Sequence, residues 1–386
     1  MTLQASDLAD LITTTQNELG RARFTEIATD IQDHCALREL LNESRVQFTG
    51  GPEIQWNLMT DQSGSARDVG LYEVDQTNVG DVMTTAKIPY RHMTANYSIE
   101  RREIALNRAP SQIVDLVRIR RNDAMISLAE HLEQRFWGVP SSSTDAKKIY
   151  GVGYWIVDDT SGNAGFNGGA PTGFTTVADI NPSTVTRWKN WSAVYSDTPG
   201  SALAGPSYSS GSNQTGQTGG GNPDSTGFSD MVVQLREAYV KCNFKPIPNV
   251  SYSDYNKGSR YGLYTNYSVI SYLEEVLARR NDNLGMDVGA TDGKVVFRGI
   301  PLTYCPYLDT NVTIGGSTAF PIYGINWGVF ESCFLEGEYM RETGPDTAPN
   351  QHTVFTTHVD LSMNVRCTDR RRNFVLKNDS AKLVYA

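Results

Sequence analysis

The period of the apolar positions changes several times along the 386 residues, and each change marks a different kind of element. Between 111 and 137 runs SQIVDLVRIRRNDAMISLAEHLEQRFW, with Ile113, Leu116 and Val117, Ala124, Leu128, Leu132 and Phe136 at three-and-four spacing. That spacing stacks side chains along one stripe and predicts a single amphipathic helix. At a rise of about 1.5 Å per residue it spans ~40 Å, which suits a load-bearing rod better than the wall of a pocket. Pro110 before it, and Gly138 with Pro140 after it, punctuate both ends.

Ahead of this rod the period falls to two. Alternation at Val46/Phe48 and Ile54/Trp56/Leu58, then at Ile88/Tyr90 and Ala95/Tyr97/Ile99, with turn-rich SGSARDVG and QTNVGD between, predicts an extended β-hairpin arm over 46–105. Its tip falls between Asp61 and Asp81. A two-stranded arm is marginal by itself, so Trp56, Leu58, Val69 and Leu71 are expected to pack on something outside their own fold. Residues 1–45 carry short helical periods, one capped by Ser6 with Leu8, Leu11 and Ile12, another around Ile27 and Ile31.

After the rod, KKIYGVGYWIVDD reads as a short strand pair, and Trp188, Trp191 and Tyr195 as a packed aromatic corner. Residues 197–228 are rich in Gly, Ser, Thr and Asn, the composition of a flexible insertion or of a tract ordered by its surroundings. From 229 the pattern predicts helices over 231–240 and 268–280 and strands over 248–252 and 294–304. Long strands over 319–341 and 353–376 follow, joined by the turn-forming TGPDTAPNQ. The fold class is α+β, with no internal repeat. Three regions are expected beyond the arm: 106–196 around the long helix, 197–318, and the returning strands of 319–386.

Composition narrows the function. A chain 39% hydrophobic and 20% charged can bury two sizeable cores. It has no run of ~18 apolar residues to cross a bilayer, and MTLQASDLADLITTTQ lacks a signal-peptide pattern, so a cytoplasmic site of synthesis without membrane contact is expected. Cys35, Cys242, Cys305, Cys333 and Cys367 are odd in number and far apart, which argues for reduced thiols. A formal charge of −9 disfavours a surface built to grip phosphates, leaving only loose, local contact with nucleic acid.

A search for catalytic chemistry finds little to build on. The five histidines form no HExxH or HxH; His352 and His358 share a predicted strand face but have no third ligand nearby. The Gly-rich stretches match neither GxGxxG nor GxxxxGK[ST], and no GxSxG elbow occurs. No catalytic, cofactor or metal site is expected. Two basic clusters remain, Arg118/Arg120/Arg121 on the long helix and Arg366/Arg370/Arg371/Arg372 near the C-terminus. With the acidic total, ion pairing within or between chains is the better reading than a polyanion grip.

In this order, RIRRNDAMISLAEHLEQRFWG at 118–138, IYGVGYWI at 149–156, TRWKNW at 186–191, VVFRGIPLTYCPYLD at 295–309 and NVRCTDRRRNFVL at 364–376 resemble the major capsid proteins of tailed bacteriophages, with the HK97-like fold. The likeness implies an N-terminal arm (1–45), an extended hairpin or E-loop (46–105), a spine helix at 111–137 in a β-rich peripheral domain, and an α/β axial domain. It implies a structural protein of the virion, not an enzyme: hexamers and pentamers closing into an icosahedral shell around double-stranded DNA. Implied partners are further copies of the chain, a separate scaffolding protein and a portal, with a decoration protein as an optional one. Trp56, Leu58, Val69, Leu71, Arg118, Arg120, Arg121, Arg370 and Arg371 become candidate interface residues. Some relatives form a Lys–Asn bond from a hairpin lysine; here the single lysine of 45–105 is Lys87, near the hairpin base, so no such bond is expected. The alternatives are an encapsulin-like nanocompartment shell of the same fold and, further off, an extracellular glycan-binding or glycan-active protein, suggested by 19 tyrosines and 6 tryptophans.

Overall fold

The computed structural model describes residues 35–43, 45–61, 66–71, 82–106, 110–159, 164–195, 230–242, 261–279, 288–291, 294–314, 316–348, 351–379 and 381–385. The expected helices of the first 34 residues, the tract 197–228, the strand over 248–252 and most of the hairpin tip lie outside this set.

The predicted rod is one helix over Pro110–Phe136. Ala124, Leu128, Leu132 and Phe136, four apart, form its buried stripe, and Trp137 continues it. The helix stops where Gly151 crosses it. A Cβ on Gly151 would lie 2.2 Å from the Phe136 carbonyl oxygen and 2.6 Å from that of Gly138, so only glycine permits the approach. The apolar run behind Gly151 then forms a helical turn, Val152–Trp155, instead of the expected strand pair. Its residues are buried on every side, and such a run carries no period that separates strand from helix.

Two sheets flank this rod. The first is built on a single long strand, Gln351–Cys367, which pairs antiparallel along one edge with Arg91–Glu100. Its other edge takes Arg341–Ala348 and then Phe330–Leu335, and Val46–Thr49 extends the sheet in parallel. The second sheet has eight strands in the order Gly165–Gly168, Asn190–Val194, Phe374–Lys377, Ile322–Asn326, Tyr261–Thr265, Ile300–Tyr304, Lys294–Phe297, Val288–Thr291. Helices Asp230–Lys241 and Tyr267–Arg279 cover it, burying Met231, Val232, Leu235, Val269, Tyr272 and Leu273 in a core distinct from the one around the long helix. The expected aromatic corner is divided between them: Trp188 belongs to the first core, Trp191 and Tyr195 to the second.

Twice the chain turns directly from one sheet into the other at places where the sequence reads as unbroken strand. At Trp327–Val329 a single 3-10 turn follows Asn326, whose side chain accepts from the Gly328 N–H at 3.0 Å. At Arg370–Arg372 a second such turn follows Asp369, which accepts from the Arg371 N–H at 3.0 Å. Each Asx side chain satisfies the backbone through the change of direction, and the Asn326 N–H donates to Asn373 Oδ1 at 2.8 Å, tying the crossings together. Two smaller differences follow from turn chemistry. The expected strand over 294–304 is a hairpin, because Arg298 and Gly299 adopt φ of 49° and 83°, as a tight two-residue turn requires. Most of TGPDTAPNQ is paired as an outer strand, where Pro345 needs no ladder donor.

Candidate subunit interface

The arm departs from the base of the first sheet. Glu53–Met59 and Met83–Pro89 pair antiparallel, with Ile54 opposite Ile88, Trp56 opposite Ala86 and Met59 opposite Met83. The self-paired arm is thus narrower than 46–105, since Val46–Thr49 and Arg91–Glu100 belong to the main sheet. Burial falls away along it. Ile54, Ala86 and Ile88 are buried; Trp56 and Leu58 are half-buried against the chain's own core, with the Trp56 ring 6.2 Å from that of Trp155 and under the Arg366 guanidinium at 5.9 Å. Beyond them the large apolar side chains of the described residues are mostly exposed. Met59 is 70% exposed and Met83 59%, while Val69 and Leu71, on the connecting segment, are 57% and 90% exposed.

The sequence marks Val69 and Leu71 and not the two methionines, and all four are exposed. The signal was available: inward phase at 54, 56 and 58 forces residue 59 outward, and its cross-strand partner with it. A second exposed apolar site is Phe48, 57% exposed on the outermost strand of the first sheet, with the Tyr339 ring edge-on at 5.7 Å. Lys87 pairs with Gln55 near the foot of the arm, and its side chain is exposed.

The arginines sort into different tasks. Arg120 clasps Glu103 through two hydrogen bonds of 2.7 and 2.9 Å and also donates to the Ser98 carbonyl, fixing the long helix to the end of Arg91–Glu100. Arg121 Nε donates to Glu342 at 2.7 Å, joining the same helix to an outer strand, and Glu342 raises the guanidinium pKa by hydrogen bonding first and charge second. Arg118 is exposed. Arg366 spans Glu331 and Gln47 across the first sheet. Arg371 lies 4.4 Å over the Phe166 ring and Arg372 pairs with Asp369.

Arg370 differs from the rest. It is 0% exposed, and its fork donates to the carbonyls of Trp155 (2.8 Å), Trp188 (2.8 Å) and Gly169 (2.8 Å), with longer bonds to the Gly168 carbonyl and to Asn190 Oδ1. Burial pulls its pKa down to about 10, which still leaves it charged at neutral pH. It sits on the second crossing between the sheets and faces only its own chain, so its expected place at a subunit interface gives way to a role inside the subunit. The Arg run hid this, because adjacent residues of one type carry no mark of which one turns inward.

No group of three or more His, Cys, Asp or Glu is placed to hold a metal ion among the described residues. A cleft at the end of the long helix, lined by Trp137, Lys148, Tyr307, Asn311 and Tyr385, has about 10 Å³ of room, enough for roughly one water. No described helix is long and apolar enough to cross a membrane.

No family model matches the sequence, and no curated protein resembles it. The fold does have counterparts. The capsid subunit of cyanophage A-1(L) superposes over 95% of this chain and 99% of its own, with a TM-score of 0.52 at 15% identity. The capsid of a native GTA particle matches over 93% of this chain and 95% of its own, with a TM-score of 0.50 at 11% identity. The capsid of the empty GTA particle matches over 98% of this chain and 100% of its own, again at 0.50 and 11%. The chain shares the fold of these capsid subunits. It is the HK97-like fold, spread over nearly the whole chain.

Proposed function

We propose that this chain is the major capsid protein of a tailed phage, assembling as hexamers and pentamers into an icosahedral shell around double-stranded DNA. One observation carries the reading: an arm on a capsid fold carries Met59, Met83, Val69 and Leu71, apolar side chains that are exposed in the single chain. Exposed apolar side chains gathered on an arm mark an interaction site. Covering it recovers ~25 cal/mol per Å² of apolar area, and a closed shell repeats the contact at every subunit. The exposed Phe48, on the first sheet, and Tyr339, in the turn between Phe330–Leu335 and Arg341–Ala348, offer an aromatic surface to receive such an arm from a neighbour.

In this reading the hairpin is the E-loop, the helix Pro110–Phe136 is the spine of a peripheral domain, and the eight-stranded sheet with its helices belongs to the axial domain. Arg118 faces a neighbour, whereas Arg120 and Arg121 brace the spine within the subunit. The protein would assemble in the host cytoplasm with a separate scaffold and a portal, and hold its DNA by loose contacts that suit a charge of −9.

The test is a double substitution, Met59→Asp with Leu71→Asp. Both positions are exposed, so the monomer should keep its stability to within about 0.5 kcal/mol in urea. Shell formation by sedimentation should be lost. Shells that form with normal yield from this variant would contradict the assignment of the arm, and wild-type particles filled with protein cargo and free of DNA would point to a nanocompartment.

A further inference from the structure

Five cysteines are present as thiols, and four of them, Cys242, Cys305, Cys333 and Cys367, are buried. Cys35 is the exception, partly exposed in a turn that packs against the first core. Its thiol donates to the Tyr304 carbonyl at 2.8 Å, which brings it beside the neighbouring residue, Cys305, close enough for the Cys35 side chain to act on the Cys305 thiol. The juxtaposition joins residues 270 apart in sequence.

The turn is held in place from a second direction. The Glu133 carboxylate, buried on the long helix, accepts from the Ala36 N–H at 2.9 Å and the Leu37 N–H at 2.7 Å. It also accepts from the Trp137 indole at 2.8 Å. Cys305 is fixed as firmly, since its own N–H donates to the Thr265 carbonyl at 2.9 Å. These hydrogen bonds hold both cysteine backbones in place.

We infer that Cys35 is a modification site for low-molecular-weight disulfides and that Cys305 resolves the adduct, closing a Cys35–Cys305 disulfide within the subunit. The Cys35 thiolate attacks one sulfur of a small disulfide, breaking its S–S bond and releasing one thiolate, which takes up a proton. The Cys305 thiolate then attacks the Cys35 sulfur and expels the second small thiol. Two protein thiols are oxidised and one small disulfide is reduced to two thiols, so atoms and electrons balance. In a reducing cytoplasm the pair stays open. Outside the cell it closes, fastening the turn at 35–37 and the long helix to the end of Ile300–Tyr304 in the second sheet.

The order of the steps follows from the surroundings. Cys35 is the thiol a solute can reach. Burial, chiefly, and then Cys35 and Glu133 hold the Cys305 thiol well above its ordinary pKa, so little thiolate is available and the resolving step is the slow one. The mixed disulfide should therefore accumulate before the ring closes, and closure should quicken as pH rises.

The experiment is a time course of the purified full chain with oxidised glutathione at pH 7 and pH 8.5, read by intact mass and by non-reducing peptide mapping. The expected record is a single glutathione adduct on Cys35, followed by its loss and a net deficit of two hydrogens, with one peptide pair joining Cys35 to Cys305. Cys35→Ser should abolish both products, and Cys305→Ala should stop at the adduct. A wild-type adduct that persists without closure, a bond to another cysteine, or no reaction at all would each overturn the inference. This readout needs no assembled shell, so it stands or falls apart from the capsid assignment.

Discussion

Arg370 places a full charge in the joint between two sheets and balances it entirely with carbonyl dipoles of its own chain. Replacing it with Met keeps the length and removes the donors. The carbonyls of Trp155, Trp188 and Gly169 would then be buried without partners, at ~1–3 kcal/mol each, so Arg370→Met should cost at least about 3 kcal/mol in urea unfolding. An unchanged midpoint would mean that water or a rearranged neighbour satisfies those oxygens. The same scale explains what the sequence hid. Four arginines in seven residues look alike, yet one pairs across a sheet, one is swallowed, one stacks on Phe166 and one pairs locally with Asp369. Which of them turns inward is decided by contacts with residues around 155, 169 and 188, hundreds of positions away.

At the scale of elements, the long helix was the most legible part of the chain, because its stripe repeats over many turns and its stops are local. Its buried half, Ala124 to Phe136, is the backbone against which the first sheet and the Gly151 turn are laid. Ala124→Pro would remove a helical hydrogen bond and kink the rod at about 3 kcal/mol or more. Purified as monomer, that variant should lose helix content by circular dichroism and fail to form shells; normal shells would show that the rod does not carry the assembly. The hairpin arm was legible in its strands and its uncovered residues, but its limits were not. Val46–Thr49 and Arg91–Glu100 alternate just as arm strands do, and only their pairing partners, Phe330–Leu335 and Gln351–Cys367, reassign them to the main sheet. The two crossings between sheets were read as continuous strand for a related reason. One Asn and one Asp, each capping a single turn, redirect the chain while the apolar pattern runs on beyond them.

At the scale of the molecule, two cores are linked by a chain that twice turns directly from one sheet into the other, and the arm beside them carries exposed Met59, Met83, Val69 and Leu71 among its described residues. In the proposed shell, a neighbouring subunit would cover Met59, Met83, Val69 and Leu71 and remove the cost of their exposure at every contact. The architecture matches capsid subunits over nearly its full length even though 15% identity or less remains. Packing, rather than any retained motif, carries the likeness. The most direct measurement is electron microscopy of the purified chain, alone and with a candidate scaffold, coupled to a nucleic-acid assay of particles recovered from infected or induced cells. The account predicts closed shells with five-fold and six-fold clusters of subunits, and double-stranded DNA inside the mature ones; uniform monomers under every assembly condition would contradict it.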